Sequence, residues 1–305
     1  MQNPDIVIHE VGLRDGLQIE RSVVPTATKV AWARGLAESG LDMIQLGSFV
    51  HREKVPQMAD TDELFGLLRD LGARPVLTGL ALNEKGLERG LAAGVTYFCL
   101  GVSASDTHSR RNTGMSTADA QERIVKVAET ARAAGASVQV SVQSAFGCGY
   151  EGEVPESRVL GIVSRYLDAG LPVVSLADTA GHATPDRVER LFAAVQQIDP
   201  SVECACHFHD TYGLGLVNCL AALRAGVKYF ESAFAGLGGC PFTAVSGGNV
   251  CTEDLLHLFH RLGVRTDVRL EPIIAVAKDA ASVLGRDLPG RIYKTGPIPS
   301  GVPAA

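Results

Sequence analysis

Eight times along this chain a short run of β-branched and apolar residues gives way to a longer segment whose apolar residues recur at i, i+3 and i+4. The runs are DIVIHEV (5–11), MIQLGSF (43–49), PVLTGLA (75–81), TYFCLGVSAS (96–105), SVQVSVQSA (137–145), PVVSLADT (172–179), SVECACHFH (201–209) and VKYFESAFAG (227–236). Between them lie segments such as TATKVAWARGLAESG, TADAQERIVKVAETARAAG, TPDRVERLFAAVQQID and LGLVNCLAALRAG, which carry helical periodicity. Many of these end in a glycine just before the next strand, at ESGLDM, AAGVTY, AAGASV, DAGLPV and RAGVKY, as helix C-caps do. Strict β-then-α alternation requires a parallel sheet. Eight such units in about 260 residues predict an α/β chain folded as a closed (β/α)8 TIM barrel, spanning about residues 5–260. No GxGxxG follows the first strand, so an open dinucleotide-binding sheet is the weaker choice. TEDLLHLFHRLG and the residues from Val264 onward are expected to pack outside the barrel as a short C-terminal helical extension (264–305). TGPIPSGVPAA is expected to form a loose tail, and the whole of 1–305 a single barrel domain.

Composition excludes several classes of function. The net charge is −6 and no basic cluster exceeds SRR at 109–111, so nucleic acid is not an expected partner. No basic n-region with an apolar h-region opens the chain, and apolar runs are broken well before ~18 residues, so no leader or membrane span is expected. Seven cysteines, an odd number scattered through the chain, suit reduced thiols in a cytoplasmic protein better than a disulfide framework.

In a TIM barrel the chemistry sits at the C-terminal ends of the strands. The first run leads into Arg14 and Asp15, the second carries Gln45, the sixth ends in Asp178 and Thr179, and the seventh ends in His207 and His209. After the eighth comes AGLGGCPFTAVSGGNVCTED, with Cys240 and Asn249. In HFHD the two histidines would point the same way along a strand, about 7 Å apart, which suits two ligands of one ion as well as two ordinary polar residues at a strand end. The proposed ligand set is Asp15, His207, His209 and Asn249. A carboxylate, two imidazoles and an amide oxygen leave coordination positions open and suit Mg2+ or Mn2+ more than a closed zinc site. Taken singly, Asp15 reads equally as a turn aspartate in RDG, and Asn249 as a turn asparagine after Gly-Gly. Thr252 with Glu253 and Asp254 looks like a helix start, which would put Asn249 just ahead of a helix N-terminus.

Four stretches, EVGLRDGLQ, SFVHREKVPQMAD, HFHDTYGLGLVN and above all GLGGCPF with SGGNVCTEDL, resemble the 3-hydroxy-3-methylglutaryl-CoA lyase family, a group of DRE-type metal-dependent TIM-barrel lyases and Claisen-condensing enzymes. The resemblance implies retro-Claisen cleavage of an acyl-CoA, with the metal on Asp15, His207, His209 and Asn249. Arg14 would stabilise the thioester oxygen, His207, Asp15 or a bound water would move the hydroxyl proton, and Cys240, on a glycine-rich loop, would protonate the enolate carbon. Gln18, Gln45, Asp178, Thr179 and Arg110 are the expected substrate contacts, with Arg110 and Arg111 of SASDTHSRRNTG near CoA phosphates or in a solvated loop. The family's strand-2 glutamate is matched here by Gln45, which cannot ionise. This departure makes citramalyl-CoA or a 3-hydroxy-3-alkylglutaryl-CoA credible substrates beside 3-hydroxy-3-methylglutaryl-CoA. Rival readings are a Claisen-condensing synthase, a CoA-independent 4-hydroxy-2-oxoacid aldolase and an inert metal-binding barrel. A homodimer is the expected assembly.

Overall fold

A computed structural model describes residues 6–239 and 247–298. Its strands are β1 (Val7–Glu10), β2 (Met43–Ser48), β3 (Val76–Leu80), β4 (Tyr97–Ser103), β5 (Ser137–Gln143), β6 (Val173–Asp178), β7 (Glu203–Phe208) and β8 (Tyr229–Ser232), each inside its predicted run. They pair in chain order, all parallel, and β8 returns to β1 to close the barrel. Between and after the strands come α1 (Thr26–Glu38), α2 (Thr61–Leu67), α3 (Glu84–Ala93), α4 (Asp106–Thr113), α5 (Thr117–Ala133), α6 (Glu156–Asp168), α7 (Pro185–Ile198), α8 (Gly215–Arg224) and α9 (Thr252–Arg261). Two further helices, α10 (Leu270–Leu284) and α11 (Ile292–Thr295), make up the extension.

The five glycines singled out as C-caps all turn left-handed. Gly94, at φ 88° and ψ 22°, hands its N–H to the carbonyls of Gly90 and Leu91, and Gly40, Gly135, Gly170 and Gly226 share the positive φ. A residue with a Cβ there would cost about 1–2 kcal/mol. The stretch after β4 is not a solvated loop. Ser105 caps α4 by accepting from the His108 N–H at 3.1 Å, Asp106 sits in the first turn, and Gly114 ends the helix at φ 76°.

Strand alternation divides the barrel chemically. One set of side chains packs outward under the helices: Phe98 fills the space left by Gly90 of α3, and Phe230 meets Phe259 of α9 edge-to-face at 5.1 Å. The inward set is polar for an enclosed barrel, and includes His9, Gln45, Thr78, Gln139, Ser175, His207 and Glu231, all buried. Burying such groups is tolerable only when they are paired. The inner pairs include His9 Nε2 with Thr78 Oγ1 at 2.8 Å and Gln139 Nε2 donating to Glu231 at 2.5 Å.

The β1–β2 seam, like β3–β4, has only two registered pairs, His9 with Met43 and Glu10 with Ile44. Below them the Ile8 N–H finds no strand carbonyl and donates instead to Asp42 Oδ2 at 3.0 Å. The same oxygen receives the guanidinium of Arg265, which also donates to the Ile6 carbonyl at 2.8 Å. The extension is thereby fastened to the base of the barrel. Its upper part is held by Trp32 Nε1 donating to Asp279 Oδ2 at 2.6 Å, between α1 and α10. Among the described residues no helix is long and apolar enough to cross a membrane.

Candidate active site

The first functional side chains come from a single wide turn. Immediately after β1 the chain makes a π-helical turn, Gly12–Gly16, in which the Asp15 and Gly16 N–H groups both reach back to the Val11 carbonyl. Its two glycines are set by close approach. A Cβ at Gly12 would lie 2.5 Å from the Phe234 ring, and one at Gly16 would lie 2.8 Å from Leu237 Cβ. The GLRDG motif is thus the segment over which β1 and the stretch after β8 pack, and it delivers Arg14 and Asp15 together into the barrel mouth. Arg14 bridges Asp15 and Gln45, donating to Asp15 Oδ1 and to Gln45 Oε1. Gln18 donates to Asp15 Oδ1 at 3.2 Å.

His207 and His209 project from the end of β7 and just beyond it, and Asn249 comes from a segment stitched back onto that end. His209 and Asn249 form an antiparallel bridge, with the Asp210 N–H donating to the Gly248 carbonyl at 2.9 Å. The closeness explains the double glycine. A Cβ at Gly247 would lie 2.2 Å from Thr211 Cα, and one at Gly248 would lie 1.8 Å from the Gly236 carbonyl oxygen. Thr252 does begin α9, yet Glu253 and Asp254 serve the scaffold, not the site. Glu253 accepts from the Ala235 N–H at 3.0 Å, and Asp254 accepts from the Arg291 and Ile292 N–H groups.

The four proposed ligands converge. The His207 and His209 Nε2 atoms are 3.1 Å apart, each lies 3.8 Å from Asp15 Oδ2, and one ligand atom from each of these three residues falls within 4.8 Å of the others. Asn249 Nδ2 donates to Asp15 Oδ2 and to the Leu237 carbonyl, both at 2.9 Å. Both partners are acceptors, which fixes the amide orientation and leaves Asn249 Oδ1 a buried oxygen without a hydrogen-bond partner among the described residues. An orphaned buried acceptor beside a carboxylate and two ring nitrogens is costly unless a cation receives them. The donor set therefore fits a divalent ion that accepts mixed oxygen and nitrogen ligands.

The electrostatics are arranged around that point. Burial alone would raise the Asp15 carboxyl, but the Arg14 guanidinium and the two imidazoles hold it well below the usual carboxylate range. Burial likewise opposes charge on Glu231, yet its hydrogen bond to His207 and that ring's charge bring it down to about 2. Burial would depress His207, but Glu231 and Asp15 together raise it. Above the cluster opens a cavity of about 310 Å³ whose wall includes Arg14, Gln18, Gln45, Thr179, Asn112 and Gly239. A second cavity, of about 330 Å³, shares Val50, Val55, Leu82, Asn112 and Gln143 with the first and adjoins it.

Two of the expected substrate contacts stand elsewhere. Asp178 is fully buried and turned away from the cavity. Its oxygens accept from the His182 and Ala183 N–H groups at 2.8 and 3.0 Å, and burial pushes it up to about 6. It shapes the β6–α7 turn. Arg110 is exposed, pairs with Asp106 at 2.7 Å one turn earlier, and does not reach the cavity wall, where α4 instead presents His108 and Asn112. Thr179 lines the cavity while its hydroxyl accepts from the Ser144 N–H at 2.9 Å. Cys240 lies outside the described residues. The sequence reading passed over Glu231, Gln139 and Ser175. The available signal was a carboxylate inside the otherwise buried run YFESAF, on the strand next to the histidines.

Comparison with known proteins agrees with this architecture. The HMGL-like family model matches residues 5–279. The hydroxymethylglutaryl-CoA lyase YngG of Bacillus subtilis is 36% identical over 287 residues, 94% of this chain and 95% of that protein. The (R)-citramalyl-CoA lyase of Chloroflexus aurantiacus is also 36% identical, over 96% of this chain and 95% of its own length. Among solved structures, an HMG-CoA lyase from Acinetobacter baumannii in complex with coenzyme A and 3-methylmalate superposes with a TM-score of 0.91 at 36% identity, covering 99% of this chain and 98% of that one. With a closed eight-stranded barrel and this convergent site, the chain belongs to the HMGL-like family.

Proposed function

We propose that this protein is a divalent-metal-dependent acyl-CoA lyase. It would cleave a 3-hydroxy-3-methylglutaryl-CoA-like substrate by a retro-Claisen reaction to acetyl-CoA and a carbonyl product, acetoacetate when the substrate is 3-hydroxy-3-methylglutaryl-CoA. The observation that carries the reading is the cluster of Asp15, His207 and His209 in the wall of a cavity that also holds Arg14, with Asn249, whose buried Oδ1 has no hydrogen-bond partner among the described residues, bonded to Asp15. Those four residues would hold Mg2+ or Mn2+, and the bound ion would act as a Lewis acid toward the tertiary hydroxyl and carboxylate of the substrate. Arg14, fixed by Asp15 and Gln45, offers a permanent positive charge to the thioester oxygen as the carbon–carbon bond breaks. Asp15 or a bound water takes the hydroxyl proton, because His207, with Nδ1 bonded to Glu231 and Nε2 turned to the ion, would have no free lone pair. The oxygen then forms the new carbonyl, and the electron pair of the broken bond passes to the acetyl-CoA enolate. Cys240 is the proposed donor that protonates the enolate carbon, and Gln18, Gln45 and Thr179 are the proposed substrate contacts.

Two features bear on the acyl group. Gln45 puts a neutral amide where it meets Arg14, and the second cavity gives room for the pantetheine arm or for a 3-substituent longer than methyl. Citramalyl-CoA is thus a second candidate, supported by the Chloroflexus relative. We place the enzyme in the cytoplasm as a homodimer, on its odd cysteine count and the prevalence of twofold assemblies. The test is release of acetyl-CoA, followed by mass spectrometry, from 3-hydroxy-3-methylglutaryl-CoA, citramalyl-CoA and a longer 3-alkyl analogue with Mg2+ or Mn2+. The expected result is turnover of one substrate, abolished by EDTA. Silence with all three, in wild type and in Gln45→Glu, would overturn the reading.

A further inference from the structure

We propose that Glu231, held by Gln139 and Ser175, is a positioning residue that fixes the His207 ring so that its Nε2 lone pair faces the ion site; the inference rests on the metal-ligand reading above. The geometry starts from strand register. His207 of β7 is the parallel partner of Glu231 of β8, so the two side chains project side by side into the barrel. Glu231 Oε2 lies 2.9 Å from His207 Nδ1. The other oxygen, Oε1, accepts from Gln139 Nε2 at 2.5 Å on β5 and from Ser175 Oγ at 3.3 Å on β6. Donors from β5 and β6 thus brace a carboxylate on β8, and all three residues are buried. A carboxylate can only accept, so the proton of that bond sits on His207 Nδ1. Its Nε2 is then the nitrogen turned toward Asp15 Oδ2, 3.8 Å away, and His209 Nε2, 3.1 Å away. A ring so held cannot flip or change tautomer without breaking the Glu231 bond. Carboxylates that orient a ligating imidazole in this way typically change metal affinity 10–100-fold when removed.

His209 has no equivalent among the described residues, where its buried Nδ1 finds no hydrogen-bond partner. The two histidines therefore differ in kind, His207 anchored from behind and His209 held by its neighbours alone. Glu231→Gln is the informative substitution. It removes the charge yet preserves shape, and Gln139 can rotate its unpartnered Oε1 to meet the new amide.

The experiment is Mn2+ binding by electron paramagnetic resonance and calorimetry on wild type, Glu231→Gln, Glu231→Ala and His209→Ala, with thermal melts alongside. Histidine ring 15N spectra of the wild-type protein accompany them, assigned with His207→Asn. The expected result is Mn2+ affinity about 10-fold weaker in Glu231→Gln and up to about 100-fold weaker in Glu231→Ala, with the metal-free protein still folded and His207 carrying its proton on Nδ1. Affinities within threefold of wild type in both Glu231 variants, while His209→Ala loses the ion, would overturn the proposal and leave the ligand reading standing. Wild-type affinity in His209→Ala would instead overturn the ligand reading, and this inference with it. If both Glu231 variants fail to fold, the wild-type spectra decide, and a His207 ring protonated on Nε2 alone sinks the idea.

Discussion

Substituting Gly248 with alanine tests whether the close approach of two backbone segments sets the site. The added Cβ would fall 1.8 Å from the Gly236 carbonyl oxygen, far inside the 3.0 Å that real Cβ contacts respect, so one segment must move by more than an ångström. Gly236 has little freedom to yield: it is pinned by its N–H bond to the Ala233 carbonyl at 3.0 Å. The displacement therefore falls on residue 248, whose carbonyl receives the Asp210 N–H beside His209 and whose neighbour is Asn249. Overpacking of this kind costs about 1–3 kcal/mol, and moving a site group by about 1 Å costs on the order of 100-fold in rate. Gly248→Ala is expected to lower both the melting temperature and kcat/KM in the acetyl-CoA assay. Gly161→Ala is the control. It lies exposed in α6 with nothing within 4 Å of the added Cβ, and should gain about 0.5–1 kcal/mol from helix propensity with activity unchanged. Wild-type kcat/KM and melting temperature in Gly248→Ala would refute the packing argument.

Three further outcomes are expected. Asp15→Ala and His209→Ala should each lose bound Mn2+ by elemental analysis and lose lyase turnover, and metal retained at the wild-type ratio would count against the ligand set. Glu253, whose carboxyl burial pushes from 4.5 to about 8, holds a proton in the folded state that the unfolded chain releases. Its contribution to stability is therefore fully present below pH 4.5 and is lost as pH rises to about 8. Glu253→Gln should flatten that fall, so the melting-temperature difference between variant and wild type should grow in the variant's favour from pH 5 to pH 8; a constant difference would contradict the burial argument. Arg110→Ala, on the exposed face of α4, should leave KM for the acyl-CoA within about twofold, since exposed pairs contribute roughly 0–1 kcal/mol; a large rise in KM would bring that arginine back into the binding surface.

How much of this was legible in the sequence follows from periodicity. Strand alternation and glycine caps are local, so eight runs and five C-cap glycines carry straight into the barrel, and the strand ends with the loop after the eighth strand offer Asp15, His207, His209 and Asn249 as candidates. What was not legible depends on partners distant in sequence. Asp178 looks like Thr179, a polar residue at a strand end, until its oxygens are found spent on the turn that follows. Arg110 and Asn112 lie two residues apart on a short helix, and only the helix phase turns one outward and the other to the cavity. Glu231 reads as one charge in a strand, because its three partners sit on β5, β6 and β7.

The seam between β1 and β2 has an evolutionary consequence. A ladder hydrogen bond is indifferent to side-chain identity, and around most of the barrel closure survives substitution as long as the residues remain strand-forming. At Ile8 the bond is made by a side chain, so it exists only while an acceptor occupies position 42, and that buried carboxylate is answered by two guanidiniums, the buried Arg265 on Oδ2 and the exposed Arg74 on Oδ1 at 3.0 Å. Positions 42 and 265, 223 residues apart, thereby share one task with position 74, and a change at 42 removes at once the acceptor of a barrel strand and the partner of two cations.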